Sequence, residues 1–452
     1  MSEKSVIIIG SGLGGLECAL LLSRAGFKVT VLEKAAAEGG CMQTFLRNGR
    51  RFDTGFHYAG GVEGVLAPYL ELFGLSGLPW KKLDEDAVEE LYIKGEKYCH
   101  PSGYAAFEER FAPLFGREAM RSWLDVLRRI GESMAAPFGP RDEGWFSTPA
   151  LGWLRSLGGQ AFADALAGAA LRMPVLEGTP LYCYAQVYNS FVQGAWRLGG
   201  GGKTLTDALM TGIKKNGGIV RTSEKVQQII VKEAVAKGVV TGRGRYEADW
   251  VISDIHPSLL TSLVPGLRKS FVGRLVNSPS GRGAFTVNLV LKQGILRYKN
   301  SSMHICKGDL QDAMMVHWYV PETGVYAPAI DLLRMVDLPS EVDYPQWKER
   351  MCREMVALAG EYVPGLEDAI EAVYSSSPLT WERYTGTPGG SAFGYVKDCR
   401  SPFAGFLSPR TPLPGLLMTG QNLNLHGLAG VSMTALYTCA EILGKQYIED
   451  LI

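Results

Sequence analysis

The chain has 452 residues, 46% hydrophobic and 20% charged, a length that favours two domains over a single core. Lys+Arg and Asp+Glu both number 46, and a formal net charge of +0 argues against nucleic acid as a partner. Eight scattered Cys with no CxxC pair argue against a disulfide framework or a zinc site and predict reduced thiols in a cytoplasm.

The N-terminus, MSEKSVIIIGSG, runs straight into a strand pattern without a secretion signal, and no apolar run is long enough to span a bilayer. Val6 to Ile9 read as a β-branched strand, followed by Gly10, Gly12 and Gly15 in G-x-G-x-x-G spacing. A helix from about Leu16 to Ala25 stops at Gly26, and a second strand, Lys28 to Leu32, ends at Glu33. Gly10 permits the tight turn, Gly12 lets backbone approach a pyrophosphate, and Gly15 lets the helix lie close on the sheet. With Leu13 and Gly14 they form a candidate phosphate cradle, because a helix N-terminus offers unpaired N–H groups and a positive dipole end. Glu33 suits ribose hydroxyls and argues against a 2′-phosphate. The ordered set predicts an adenine dinucleotide, NAD or FAD.

After Glu33 come Lys34, a short Ala-Glu run, Gly39, Gly40 and Cys41, then the extended stretch RFDTGFHY. This arrangement resembles the flavin-dependent amine oxidase and phytoene desaturase superfamily. The words GGCMQTF and FDTGFHY are most similar to its retinol saturase branch, beside the carotenoid isomerases and bacterial phytoene desaturases. The resemblance implies FAD, with Lys34, Gly40 and Cys41 along the pyrophosphate and ribityl chain. Cys41 stands where the motif usually has Arg, which removes one cationic contact. Gly55 and His57 would lie in the segment that passes the isoalloxazine. An imidazole titrates near neutral pH, so His57 is the candidate general acid. Asp53 is expected to fix the start of its loop by hydrogen bonding to backbone.

Lys81 to Glu90 reads as a solvated charged surface. His100, His304 and His317 lack metal-ligand spacing and read as structural; no metal is expected. Trp145, Phe146 and Trp153 stand near loops, and an apolar substrate would suggest peripheral membrane contact through the loops near Trp145 and Trp153. Pro180 to Trp196 reads as a helix whose Tyr184 and Tyr188, four apart, share a face with Phe191 nearby. Such a stripe fills a core or lines an apolar tunnel, and the two tyrosines are taken as candidate substrate contacts.

Gly199 to Gly202 precede a helix, Thr204 to Lys215, and strands Ile219–Thr222, Val226–Lys232, Ala236–Thr241 and Trp250–Ser253. The resemblance puts Val226 against the adenine. Residues 282 to 336 alternate as strands. Leu416 to Thr419 form a last strand, Gly420, Gly427 and Gly430 keep the following loop thin, and Val431 to Leu443 read as a helix. In the superfamily this element closes the FAD site, which implies Gly420 and Gln421 on the ribityl chain and Gly430 and Val431 at the flavin N1/O2 edge. Gln421 replaces the usual Asp and adds no charge. His426 is a second candidate for flavin contact.

The expected architecture is α/β: a discontinuous Rossmann-like FAD-binding domain (1–75, 196–262, 386–452) with an inserted α+β substrate domain (76–195, 263–385). The resemblance implies an FAD-dependent oxidoreductase acting on CH–CH or C=C bonds of an apolar polyene or isoprenoid, by saturation or, alternatively, desaturation or isomerisation. A different class is kept beside it: Rab escort and dissociation-inhibitor proteins share the fold and carry prenyl chains without flavin chemistry. Nothing marks an amine-binding cage, and the electron donor or acceptor is open.

Overall fold

The computed structural model describes residues 4–134, 136–169 and 172–452. Its centre is a parallel sheet in the order Ile219–Arg221, Lys28–Leu32, Ser5–Ile9, Trp250–Ser253, Leu416–Met418. These strands are short aliphatic runs because both faces are covered. Val6, Ile8 and Val31 face helices Leu13–Arg24, Gly202–Lys215 and Gly427–Leu443. Ile7, Ile9 and Val251 face an antiparallel sheet of Val226–Lys232, Val235–Thr241 and Gly244–Glu247. All five parallel strands lie within residues 1–75, 196–262 and 386–452.

A seven-stranded sheet runs Ile370–Ser376, Gly283–Leu291, Ala329–Val336, Met314–Trp318, Ser302–Cys306, Glu89–Ile93, Glu96–His100. Only the pairing of Ser302–Cys306 with Glu89–Ile93 is parallel. Phe285, Val287 and Leu289 on this sheet pack against Trp347 and Met355 of helix Tyr344–Tyr362. Helices Tyr104–Phe115, Arg117–Glu132, Ala150–Ala167 and Leu181–Val192 share a separate aromatic core. Strand Ala195–Leu198 ties the two halves together, pairing with Ala59–Gly60 on one side and Trp80–Lys82 on the other.

Two helices begin earlier than their sequence predicts. One starts at Leu13 and the other, Gly427–Leu443, at Gly427, so Gly14, Gly15 and Gly430 are helical rather than loop residues, while Gly427 opens its helix at φ +74°. Close packing explains the choice of glycine: a Cβ on Gly430 would sit 2.6 Å from the Leu425 side chain and 2.7 Å from its backbone. The helix expected to reach Trp196 stops at Val192, because the residues from Ala195 onward are drawn into a strand. Trp145 and Trp153 are half-buried against the helical core, and Phe146 stacks on Tyr182 at 4.4 Å. Among the described residues no helix is long and apolar enough to cross a membrane.

Helices Leu13–Arg24 and Gly427–Leu443 are joined by a buried polar contact. Ser432 Oγ donates to Glu17 Oε1 at 2.6 Å. Burial pushes the Glu17 carboxyl well above its usual range.

Candidate cofactor and active site

One cavity of about 930 Å³ runs between the parallel sheet and the seven-stranded sheet, near the upper end of small-ligand sites. Its first stretch is the glycine loop: Gly10, Gly12, Leu13 and Gly14 line it. Gly10 has φ +98°, a left-handed turn open to glycine. Gly15 does not reach the cavity. A Cβ there would stand 2.6 Å from the Gly10 carbonyl, so Gly15 packs helix on strand, while its neighbours face the space.

Glu33 and Lys34 follow on the wall. Glu33 Oε2 accepts from the Ser11 N–H at 2.9 Å and the Ser11 hydroxyl at 2.8 Å, and Oε1 accepts from the Ala35 N–H at 2.7 Å. Oε1 keeps a lone pair for a further donor. Gly40, Cys41 and Gly55 form the next stretch. Burial pushes the Cys41 thiol up to about 11, so it is neither a thiolate nor a charge. A Cβ on Gly55 would stand 3.2 Å from the Trp381 ring and 3.3 Å from the Cys41 carbonyl, which brings three segments together there. Val226, Gly420, Gln421, Gly430 and Val431 line the cavity as well. Gly420 has φ +93°, and a Cβ on Gly14 would meet its nitrogen at 3.1 Å.

A dinucleotide fits this surface on its own terms. Three glycine segments converge where any side chain would fill the space, as a Cβ on Gly40 would lie 3.3 Å from Gly12 Cα. Two helix N-termini, at Leu13 and Gly427, deliver free amides to the same cavity. Asp254, which the sequence reading passed over, lies beneath the loop and is pushed up to about 7 by burial and by Glu33. Its position directly after the strand paired with Ser5–Ile9 was the available signal.

His57 lies further along the same cavity. Both ring nitrogens are buried without a hydrogen-bond partner. Burial, and then the field of Arg197, bring its proton affinity down to about 4. The ionisation near neutrality expected for a catalytic imidazole is therefore corrected: the ring is neutral at pH 7. The His317 ring lies 5.0 Å away, so that histidine is part of the site's surroundings rather than a remote structural residue. Asp53 Oδ1 accepts from the Gly202 N–H at 3.1 Å, fixing the loop start as expected. His426 lines the cavity and bonds the Arg172 carbonyl at 3.0 Å.

Tyr184 and Tyr188 do not line the cavity. They stack on each other at 4.3 Å inside the helical core, and their hydroxyls donate to the carbonyls of Leu166 and Ala167, each at 2.9 Å. Their helix turns this face toward its neighbours, so they are packing residues, not substrate contacts. Glu89, at the end of the run read as a solvated surface, is likewise buried, ion-paired with Arg172 and flanked by His100 and His304. Burial opposes its ionisation, but Arg172 and the histidines hold its carboxyl well below the usual range. The apolar cavity wall comes from the seven-stranded sheet: Ala284, Met315, Leu333 and Met335, with Trp381 and Phe393 beside them. Among the described residues no group of three His, Cys, Asp or Glu stands together as metal ligands.

Comparison with known proteins agrees with this architecture. A family model described as flavin containing amine oxidoreductase matches residues 13–320. The chain is 25% identical to human (Homo sapiens) all-trans-retinol 13,14-reductase over 99% of its own length and 87% of that protein's. It is 25% identical to a 4,4′-diapophytoene desaturase (4,4′-diapolycopene-forming) of Methylomonas sp over 60% of its length and 57% of the relative's. The crystal structure of an oxidoreductase from Methanosarcina mazei superposes with a TM-score of 0.69 at 16% identity, covering 98% of this chain and 100% of that one.

Proposed function

The chain belongs to the flavin-containing amine oxidoreductases, an FAD-dependent oxidoreductase by family, and from that premise we propose that it reduces a conjugated C=C bond of an apolar polyene. The observation that carries this reading is the continuity of one cavity, from the glycine loop at Gly10–Gly14 to the apolar wall facing His57. Relatives named for retinol reduction and carotenoid desaturation, matched over most of this chain or more than half of it, support the substrate class.

Bound FAD supplies a hydride acceptor or donor. The residues here account for the rest. Amides at the N-terminus of helix Leu13–Arg24 would hold the pyrophosphate, and Glu33 Oε1 would accept from a ribose hydroxyl. Val226 would pack on the adenine, and Gly40, Cys41, Gly55, Gly420 and Gln421 would leave a thin channel for the ribityl chain. Amides of the helix starting at Gly427, through Gly430 and Val431, would stabilise negative charge on a reduced ring. Ala284, Met315, Leu333 and Met335 exclude water from the reacting carbons. His57, neutral in the free protein with both ring nitrogens unpartnered, would take up a second proton on a ring nitrogen and pass that proton to carbon, returning to the neutral ring. An apolar substrate also fits peripheral membrane contact, for which Phe403, 55% exposed beside Phe146, is the foremost candidate.

Anaerobic photoreduction of the flavin tests the reading. Candidate polyenes should reoxidise it and emerge with one double bond fewer. A protein that stays colourless after FAD is added, yet binds prenyl chains, would instead be a carrier.

A further inference from the structure

A second cavity, of about 700 Å³, lies behind the His57 loop. His57 and Asp53 line both cavities, so the two adjoin at these residues. The second cavity mixes cations with rings: Arg50, Arg51, Lys81 and Arg197 beside Trp80 and Trp318.

Arg197 is the unusual member. It stands on strand Ala195–Leu198 and is 3% exposed. Its partners are all neutral oxygens: Nη1 donates to the Tyr298 hydroxyl at 2.6 Å and more distantly to the Lys299 carbonyl, and Nη2 donates to the Ser301 carbonyl at 2.9 Å. Nε has no partner. Among the described residues no carboxylate stands within ion-pair distance of it, whereas the other buried guanidinium, Arg172, pairs with Glu89. Asp84, the acid whose field reaches Arg197, already accepts from the Asn300 amide. A guanidinium does not escape burial by losing its proton. A cation held out of water without a counter-charge is strongly unfavourable, so an anion from outside the chain is the missing partner.

We propose that Arg197 binds the carboxylate of the substrate in the second cavity, while the apolar chain passes His57 into the first, so that the substrate class is an apolar polyene acid. The inference rests on the polyene reading above. A planar guanidinium with a free Nε–H suits a carboxylate oxygen, and Trp80 and Trp318 offer apolar surface to the chain next to it. Two acids share this wall. Glu322 is exposed, and Asp53 is pushed by burial up to about 7, so neither places a full buried charge against the incoming anion. Neutralising Arg197 would also lift part of the field that depresses His57, so head-group binding and proton delivery would be coupled.

The test uses the FAD-loaded protein and quenching of tryptophan fluorescence by all-trans-retinoate, all-trans-retinol and geranylgeranyl phosphate. Retinoate should bind roughly 10- to 100-fold tighter than retinol, the range of a charge-assisted hydrogen bond. Arg197→Met should erase that preference with flavin absorbance intact, and Arg197→Lys should restore part of it. Retinoate should also raise the ring titration of His57, which a merely structural Arg197 would not do. Should Arg197→Met fail to fold, the wild-type protein decides: retinoate must raise Tm more than equimolar retinol. Equal affinities for acid and alcohol overturn the proposal, as does a preference that survives in Arg197→Met. Tighter binding of the phosphate overturns the carboxylate assignment. Retinoate that binds through Arg197 but never reoxidises the flavin supports the site and overturns the polyene-reduction reading instead.

Discussion

With both ring nitrogens unpartnered inside a cavity wall, His57 is neutral in the free protein at pH 7 and must first be charged to the imidazolium to act as an acid. Its folded proton affinity, about 4, lies below the ordinary 6.5. It therefore contributes stability that is present above pH 6.5 and lost as the pH falls toward 4, where the buried ring must charge. Nitrogen NMR of the free holoenzyme should find the ring neutral at pH 7 and titrating in the acid range; a titration near 6.5 would contradict the burial. His57→Gln should cut turnover by about 10²–10⁴ while leaving flavin absorbance and donor-driven flavin reduction unchanged. Lost flavin would make His57 a cofactor or packing residue. Glu33 makes the second prediction. Its carboxylate already organises Ser11 and Ala35, and Glu33→Ala should weaken FAD binding by roughly 1.5–3 kcal/mol, read as a dissociation constant by flavin fluorescence. An unchanged constant would remove Glu33 from the ribose.

Glycine in a helix is usually a cost of about 1 kcal/mol, yet both helices that open on the cavity carry it in their first turns. Gly15→Ala would place a methyl 2.6 Å from the Gly10 carbonyl, which is backbone and cannot swing away. The variant should lose about 1–3 kcal/mol of stability and part of its flavin, measured by denaturant unfolding and absorbance. Gly77→Ala, with nothing within 4 Å of the new methyl, is the matched control and should behave like the parent. These same glycines explain what was legible at this scale. Strands such as Lys28–Leu32, Val226–Lys232 and Trp250–Ser253 announce themselves by β-branched runs between turns. Helix starts at Leu13 and Gly427 do not, because glycine's low helix propensity is overridden there by close packing, Gly14 against Gly420, Gly15 against Gly10 and Gly430 against Leu425. The Tyr184–Tyr188 pair misleads for a related reason. Spacing tells that two side chains share a face but not whether that face meets a cavity or another helix.

At the scale of the molecule, the glycine loop, the acidic strand end and the closing element could be read from the two ends of the sequence, since each is a local pattern. Arg197 and the Glu89–Arg172 pair could not, because their meaning depends on which partners segments distant in the chain supply or withhold. A cavity built by so many separated segments ties ligand to fold. Stripping FAD should lower Tm, and returning it should restore about 2.7 kcal/mol when free FAD stands roughly 100-fold above its Kd; a Tm indifferent to FAD would mean the segments assemble without it. The Glu17–Ser432 contact and the edge strand Leu416–Met418 carry a further consequence for biogenesis. The opening helix leaves the ribosome about 400 residues before its partner is made, an interval of about 20–80 s at roughly 5–20 residues per second. Throughout that interval the nascent chain carries an apolar helix face and an unfinished sheet edge. Arrested chains ending at Gly415 should accordingly be found bound to chaperones, protease-sensitive and without flavin, while chains that include the helix Gly427–Leu443 become resistant. Resistance in the arrested chain would show that the opening helix folds without its C-terminal partner.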